Sequence, residues 1–312
     1  MSKMFNLIGT SALCLPALAA TAADVENGRL TLDHGDVITI VGNTHAERMI
    51  HHPWFEVMLH GGHPEHELVV RNLGWSGDEV ALQPRPLNFG TMEDQIRRTG
   101  ADVIVGCFGM NESFGGHEGI HEFRTDLGQW VDQHMAMEID GKRPVVVLVS
   151  PVAHEDLGDP LPDGRDRTHV LARYRDVMRE EAISRGALFV DLVRPSRRAM
   201  ASEDFDLTIN GIHCNDAGYR LCAAEMIAQL GLPAGRSTIR PLSEDPLPRA
   251  IRARNELFFQ RWRPVNTEYV YGRRHRPYGN QNFPGEMQDL DRMVQEGDAA
   301  IHSIVKSQAV QR

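Results

Sequence analysis

Five short stretches of the chain, residues 37–42, 68–73, 102–108, 144–150 and 187–192, are almost continuously apolar and rich in Val, Ile, Leu and Phe. Runs of that length without polar alternation are expected of strands buried on both faces, the condition of a parallel sheet. Between them the apolar positions switch to helical spacing, first in Phe123, Leu127, Trp130, Val131 and His134, then in Val170, Leu171, Tyr174, Val177 and Met178. A last helix is predicted to follow Asn215 and run through Leu230. Strand and helix therefore alternate. This predicts an α/β fold, a doubly wound five-stranded parallel sheet with helices on both faces.

Both ends depart from this rhythm. Lys3 precedes a mostly apolar, small-residue stretch at 5–20, and the alanine-rich run ending at Ala23 offers A-x-A cleavage spacing just before Asp24. The pattern predicts a signal peptide over residues 1–23 and an exported mature protein, periplasmic or secreted. Read instead as an anchor, the stretch is short of the about 20 apolar residues a membrane span needs. No later segment is apolar enough to cross a bilayer, so stable membrane insertion is not expected. The main domain is expected over 24–232. After it, Pro233, Pro241, Pro246 and Pro248 mark a polar stretch read as a linker. An Arg- and aromatic-rich segment at 255–278 and a short amphipathic helix around 288–305 complete the extension 233–312. It is small for a core of its own and is expected to pack on the main domain.

The formal net charge of −10 excludes the basic face a nucleic-acid binder normally carries. Arginines of the extension, among them Arg254, Arg261 and Arg263, interleave with Phe258, Trp262 and Tyr271. They suit an anionic or stacked sugar ligand, or they dock the extension onto an acidic domain. The charge balance favours docking. Removal of the signal takes away Cys14 and leaves Cys107, Cys214 and Cys222, an odd number that keeps at least one thiol unpaired within the chain. His60, His63 and His66 have spacings that invite zinc. No recognised ligand frame accompanies them, and Gly61, Gly62 and Pro64 place them in a solvated polar loop, so no metal is expected.

In open parallel sheets ligands bind beyond the carboxyl ends of the strands. The first run ends in Gly42-Asn43-Thr44, and the second leads into Gly74-Trp75-Ser76-Gly77-Asp78-Glu79. The third leads into Gly109-Met110-Asn111-Glu112-Ser113 and the fourth into Ser150-Pro151-Val152-Ala153-His154-Glu155. Beyond the fifth comes Asn210-Gly211-Ile212-His213, opening into the last helix. These blocks, in this order, resemble the SGNH (GDSL-type) hydrolase superfamily over roughly residues 36–230. Gly42-Asn43-Thr44 stands where that family has Gly-Asp-Ser, Gly77 matches its second-block glycine, Asn111 its third-block asparagine, and Asn210 to His213 its Asp-x-x-His. The phrases Gly42-Asn43-Thr44-His45-Ala46-Glu47-Arg48-Met49 and Asn111-Glu112-Ser113-Phe114 look like a divergent branch of exported planctomycete-type proteins. The resemblance implies a flavodoxin-like sheet carrying an esterase, lipase or carbohydrate deacetylase.

The chemistry so implied is acyl transfer, with Thr44 as nucleophile and His213 as base. The backbone N–H of Gly77 and the side-chain amide of Asn111 would meet the oxyanion. It needs no cofactor. Three positions depart from the pattern. Thr44 replaces serine, and it also opens Thr44-x-x-Glu47, a capping-box spelling. Asn210 replaces the aspartate that orients the histidine; in a serine protease the same change costs about 10⁴ in turnover through the wrong histidine tautomer. Glu112 and Asn43 replace two further aspartates. The carboxylates Glu47, Asp78, Glu79 and Glu112 at strand ends suggest a rival, glycoside hydrolysis by a carboxylate pair. Against it, acids at helix starts often serve only as caps or ion-pair with neighbours such as Arg48 and Arg71. His154, at the end of the fourth run, is placed to touch a substrate. The expected function is an exported hydrolase removing an acyl group such as acetate from carbohydrate or an acylated small molecule. The alternatives are a glycosidase on the same fold and a non-catalytic glycan-binding relative.

Overall fold

The computed structural model describes residues 23–202, 205–235, 245–264, 270–275, 277, 279, 281 and 283–310. Residues 1–22 of the expected signal segment lie outside the described residues, as does Pro241 of the expected linker. The chain opens with a small antiparallel hairpin of β1 (Asp24–Glu26) and β2 (Arg29–Thr31). The five apolar runs form β3 (Val37–Gly42), β4 (Val69–Asn72), β5 (Val103–Cys107), β6 (Val145–Val149) and β7 (Leu188–Val190). They make one parallel sheet in the order β4-β3-β5-β6-β7, the doubly wound flavodoxin-like arrangement. The chain goes outward from β3 to β4, then crosses back to β5. The connections above β3 and β5 thus leave on opposite faces and open a crevice at their carboxyl ends.

Alternate residues of the central strands face opposite sides, so both faces need cover. Ile38, Ile40, Val103, Val105, Val147 and Val149 pack under α2 (Trp54–Gly62) and α7 (Asp216–Gln229), with Leu59, Tyr219 and Met226 fully or nearly fully buried. Val41, Ile104, Val146 and Leu148 pack on the other side. Their cover is α3 (Met92–Thr99), α4 (Ile120–Met135) and α5 (Arg165–Arg185), through Ile96, Leu127, Val131, Tyr174 and Met178. The remaining elements are α1 (Thr44–Arg48), a 3-10 turn at Glu112–Gly115 and α6 (Val193–Met200). No helix among the described residues is long and apolar enough to cross a membrane.

Two expectations are corrected. The histidine-rich stretch is not a solvated loop: α2 continues through Gly62, and His60 and His63 are buried. The glycines permit this because a Cβ on Gly62 would lie 1.9 Å from the Pro233 carbonyl oxygen, where the chain leaving α7 crosses α2. The proline-marked linker also stops earlier than expected, because α8 (Pro246–Trp262) begins at Pro246. Prolines in a first turn lack only N–H groups that have no intrahelical acceptor, and the Asp245 carboxylate caps that turn by accepting the Leu247 N–H at 3.0 Å.

α8 packs with α9 (Pro284–Val310) and both lie on α2 and β4, with Leu247, Ile251, Ile301, Val305 and Val57 forming the contact. Arg254 of α8 is fully buried there. Its guanidinium meets the Glu56 carboxylate and the Val70 carbonyl, and lies 3.0 Å from Asp298. Arg71 closes the network onto Asp298 at 2.6 Å, and the Asn255 amide donates to Glu56 at 2.7 Å. Burial pushes the Glu56 carboxyl up, and Arg254 opposes the shift.

Candidate active site

β3 ends at Gly42 with φ +125°, where a Cβ would lie 2.1 Å from the Cys107 carbonyl oxygen; only glycine permits this turn. The Asn43 N–H then donates to that carbonyl at 3.2 Å, and its buried side chain caps α1 by accepting the His45 N–H at 3.0 Å. The cap is therefore Asn43, not Thr44. The capping-box reading fails because Glu47 is used elsewhere: its Oε2 accepts the Ser76 N–H at 2.5 Å and the Arg263 guanidinium at 2.9 Å. Thr44 becomes the first helical residue, and its hydroxyl has no protein hydrogen-bond partner among the described residues. It lines a cavity of about 30 Å³ together with Met110, Asn111, His213, Cys214 and Tyr219, room for about one water.

The loop after β4, with Gly77, is not among the residues lining this cavity and meets them through Asn111. The Asn72 side chain ties α1 to this loop, donating to the Ala46 carbonyl at 2.7 Å and accepting the Gly74 N–H at 2.8 Å. Trp75 and Asp78 close a turn through the Asp78 N–H to the Trp75 carbonyl at 3.0 Å, with Gly77 at φ +90° in its bend. The Gly77 N–H has no protein acceptor among the described residues. Asn111, after β5, uses one amide proton on the Asp78 carbonyl at 3.1 Å, which leaves the second for a ligand.

The histidine comes from a loop before α7. Ile209 N–H donates to the His213 carbonyl at 2.9 Å, and Asn215 N–H to the Leu207 carbonyl at 2.9 Å. Buried Glu155, at the end of the β6 connection, holds this loop. Its carboxylate accepts the Leu207 and Thr208 N–H groups at 2.9 and 2.7 Å and the Thr208 hydroxyl at 2.6 Å. Its own N–H donates to the Gly211 carbonyl at 2.8 Å. Within the loop the Asn210 Oδ1 accepts the His213 N–H at 2.9 Å, so its Nδ2 faces the imidazole and donates to Nδ1 at 2.9 Å. Nδ1 is thereby an acceptor, and the neutral ring carries its proton on Nε2. Partial burial, then Arg48 and His45, hold the His213 pKa below its ordinary value. The ring is neutral near pH 7, with Nε2 as donor.

The other predicted residues divide. Glu112 bonds the Val80 N–H at 3.0 Å and the Gly109 N–H at 2.8 Å, one with each oxygen. Burial pushes its carboxyl up to about 7. Glu79 and Glu112 line a larger cavity of about 490 Å³ with Leu82, Phe114 and Asp126, which shares Asn111 with the first. Glu47 is bound by Ser76 and Arg263. His154 lines separate cavities with Asp156 and Arg197, and packs against Gly211 behind the histidine loop. The sequence reading missed Asn43 as cap, Glu155 as loop holder and Glu47 as the partner of Arg263. An Asn just before the expected helix start was a readable cap signal; the other two roles depend on residues about 50 or more positions away.

The sheet order, with polar strand-end residues gathered above β3 and β5, defines an α/β fold of the flavodoxin-like kind. The chain belongs to the GDSL-like lipase/acylhydrolase family, whose sequence model matches residues 35–221. Sequence comparison with curated proteins gives no significant match. Among solved structures the fold is similar to the acetylxylan esterase Axe2 from Geobacillus stearothermophilus (TM-score 0.51, 18% identity, covering 66% of this chain and 98% of that one). It is also similar to LAE5, an α/β hydrolase from the metagenome of Lake Arreo, Spain (TM-score 0.50, 19% identity, 64% and 97%). A gut microbial diltiazem-metabolizing enzyme matches with TM-score 0.52 and 17% identity over 64% of this chain, which spans only 48% of that longer protein.

Proposed function

We propose that this protein is an exported hydrolase of acylated carbohydrate, removing an acyl group such as acetyl. One observation carries the reading: a threonine hydroxyl without a protein partner, a histidine and an asparagine amide line the same small cavity. In the proposed reaction the Thr44 oxygen attacks the ester carbonyl carbon and the carbon–oxygen bond to the sugar breaks. In the minor tautomer with the ring proton on Nδ1, His213 Nε2 takes the hydroxyl proton and passes it to the departing sugar oxygen, and water then releases the acid from acyl-threonine. Negative charge on the carbonyl oxygen is met by the N–H groups of Thr44 and Gly77 and by the Asn111 amide. Family membership supports acyl transfer, and an acetylxylan esterase shares the fold. The larger cavity supplies an aromatic face at Phe114 and hydroxyl acceptors at Glu79 and Asp126, features suited to a sugar.

A second reading, a glycan-binding relative without turnover, is favoured by the Asn210–His213 bond, which turns the histidine into a donor. The carboxylate-based glycosidase has less support, because both Glu112 oxygens already accept backbone N–H groups. The test is acetate release from acetylated xylo-oligosaccharides and 4-nitrophenyl acetate, with a glycoside panel beside it. Slow ester turnover lost in Thr44→Ala and His213→Ala is expected. Full activity in Thr44→Ala, or glycoside cleavage lost in Glu112→Gln, overturns the proposal, and glycan binding without turnover selects the second reading.

A further inference from the structure

The family match ends at residue 221, yet a residue of the C-terminal extension reaches the loop that holds Gly77. Arg263 follows α8 directly. Its guanidinium lies 3.6 Å from the centre of the Trp75 ring and 2.9 Å from the Glu47 carboxylate. The same Glu47 oxygen accepts the Ser76 N–H, one residue before Gly77. Trp75 carries a second guanidinium, that of Arg85 at 4.4 Å, and Arg85 grips the buried Asp78 carboxylate with two bonds at 2.5 and 2.8 Å. Asp78 in turn presents the carbonyl on which the Asn111 amide rests. Both expected oxyanion donors are therefore set by one short, solvent-facing loop. Trp75 meets Phe89 and Trp262 edge-on at 5.7 Å, while the exposed Ser76–Gly77 bend beside it is braced by charged groups.

We propose that Arg263 is a positioning residue for the loop carrying Gly77, so that the extension is a working part of the active site. This rests on the reading of Gly77 and Asn111 as oxyanion donors. Without the guanidinium, Glu47 loses its countercharge and Trp75 one of its two guanidinium partners, so the Ser76–Gly77 backbone is held less firmly while Arg85 still holds Asp78. Docking of the extension does not depend on Arg263, because the Arg254–Glu56–Asp298 network and the Leu247–Ile251–Ile301 contact hold it elsewhere. A merely structural Arg263 would change stability without touching the turnover step.

The experiment compares the full chain with its Arg263→Ala and Arg263→Lys variants by native-state hydrogen exchange and by steady-state kinetics on 4-nitrophenyl acetate. In Arg263→Ala, exchange across residues 75–80 is expected to rise roughly tenfold while β3 and β5 keep their protection. The turnover number should fall roughly tenfold with KM nearly unchanged, as expected when donors are misplaced by a fraction of an ångström. Arg263→Lys, which keeps the charge beside Glu47, is expected to recover part of both. Unchanged exchange at 75–80, or loss spread over the whole domain, overturns the proposal. If the parent protein turns over no ester, the functional reading fails instead, and the exchange comparison alone decides the role of Arg263.

Discussion

Replacing Asn210 with Asp should convert His213 from a donor into a base. In the native loop the Asn210 Oδ1 accepts the His213 N–H at 2.9 Å and the Ile212 N–H at 3.4 Å, while Nδ2 donates to Nδ1. For Nε2 to accept the Thr44 proton, Nδ1 must carry the ring hydrogen, and Asn210 must then turn its oxygen toward it. That rotation gives up the Oδ1 bonds and points the NH₂ group at backbone donors, a cost of roughly 2–5 kcal/mol. At about 1.36 kcal/mol per decade, the base-competent arrangement is roughly 30- to 5,000-fold rarer than the donor arrangement. An aspartate removes the conflict, since one oxygen keeps the backbone N–H groups and the other takes Nδ1–H. Asn210→Asp is therefore expected to raise kcat/KM on 4-nitrophenyl acetate by roughly that factor, within the about 10⁴ seen for the reverse change in a serine protease. The pH profile supplies a second sign. Native His213 has a lowered pKa, from partial burial and the nearby Arg48 and His45. A carboxylate beside the ring favours the imidazolium, so the acid limb of the profile should move to higher pH in the variant. A variant with no gain in kcat/KM and an unmoved acid limb would refute the tautomer argument.

Other consequences follow from the same geometry. Arg254→Ala leaves Glu56 and Asp298 buried without their countercharge and should cost about 3–5 kcal/mol, read as the loss in chemical denaturation. Glu112 has a folded pKa of about 7 against 4.5, so the folded protein binds more protons than the unfolded chain between those values. The contribution of this group to stability should therefore fall as pH rises through that window, by up to about 3 kcal/mol, and Glu112→Gln should remove it. An identical pH dependence of the denaturation midpoint in the native protein and Glu112→Gln over that range would contradict this. Glu155→Gln replaces an acceptor facing the Leu207 and Thr208 donors with an NH₂ group. It should cost about 1–3 kcal/mol and should lower ester turnover further than stability loss alone explains. Equal activity per folded molecule would remove Glu155 from the site.

The five strands were legible because each is nearly continuous in apolar residues, a local property that needs no knowledge of neighbours. The last helix was readable for the same reason, with Asn215 accepting the Gly218 N–H as its cap at 3.0 Å. The places where strands end followed from chain order, and the family likeness gathered residues from Gly42 to His213 into one expected site. The misreadings share another origin. His60 is buried because α8 and the chain after α7 close over α2, and no pattern within residues 54–66 encodes that cover. Pro246 and Pro248 mark a helix start or a linker with the same residue type. The difference lies in the Asp245 cap and the contacts of Ile251 with α9.

The sequence by itself determined the sheet, its order of blocks and the set of polar residues at the strand ends, since periodicity and spacing are read within a few residues. Only the tertiary structure decided what each of those residues does. Asn43 rather than Thr44 caps α1, Glu47 braces Ser76 with Arg263, Glu112 brackets two loops, and Asn210 points its amide at His213. Each side chain has few hydrogen-bonding positions, and the folded chain offers each of them competing partners. Those partners come from elements far apart in sequence, so the competition is settled when the elements pack.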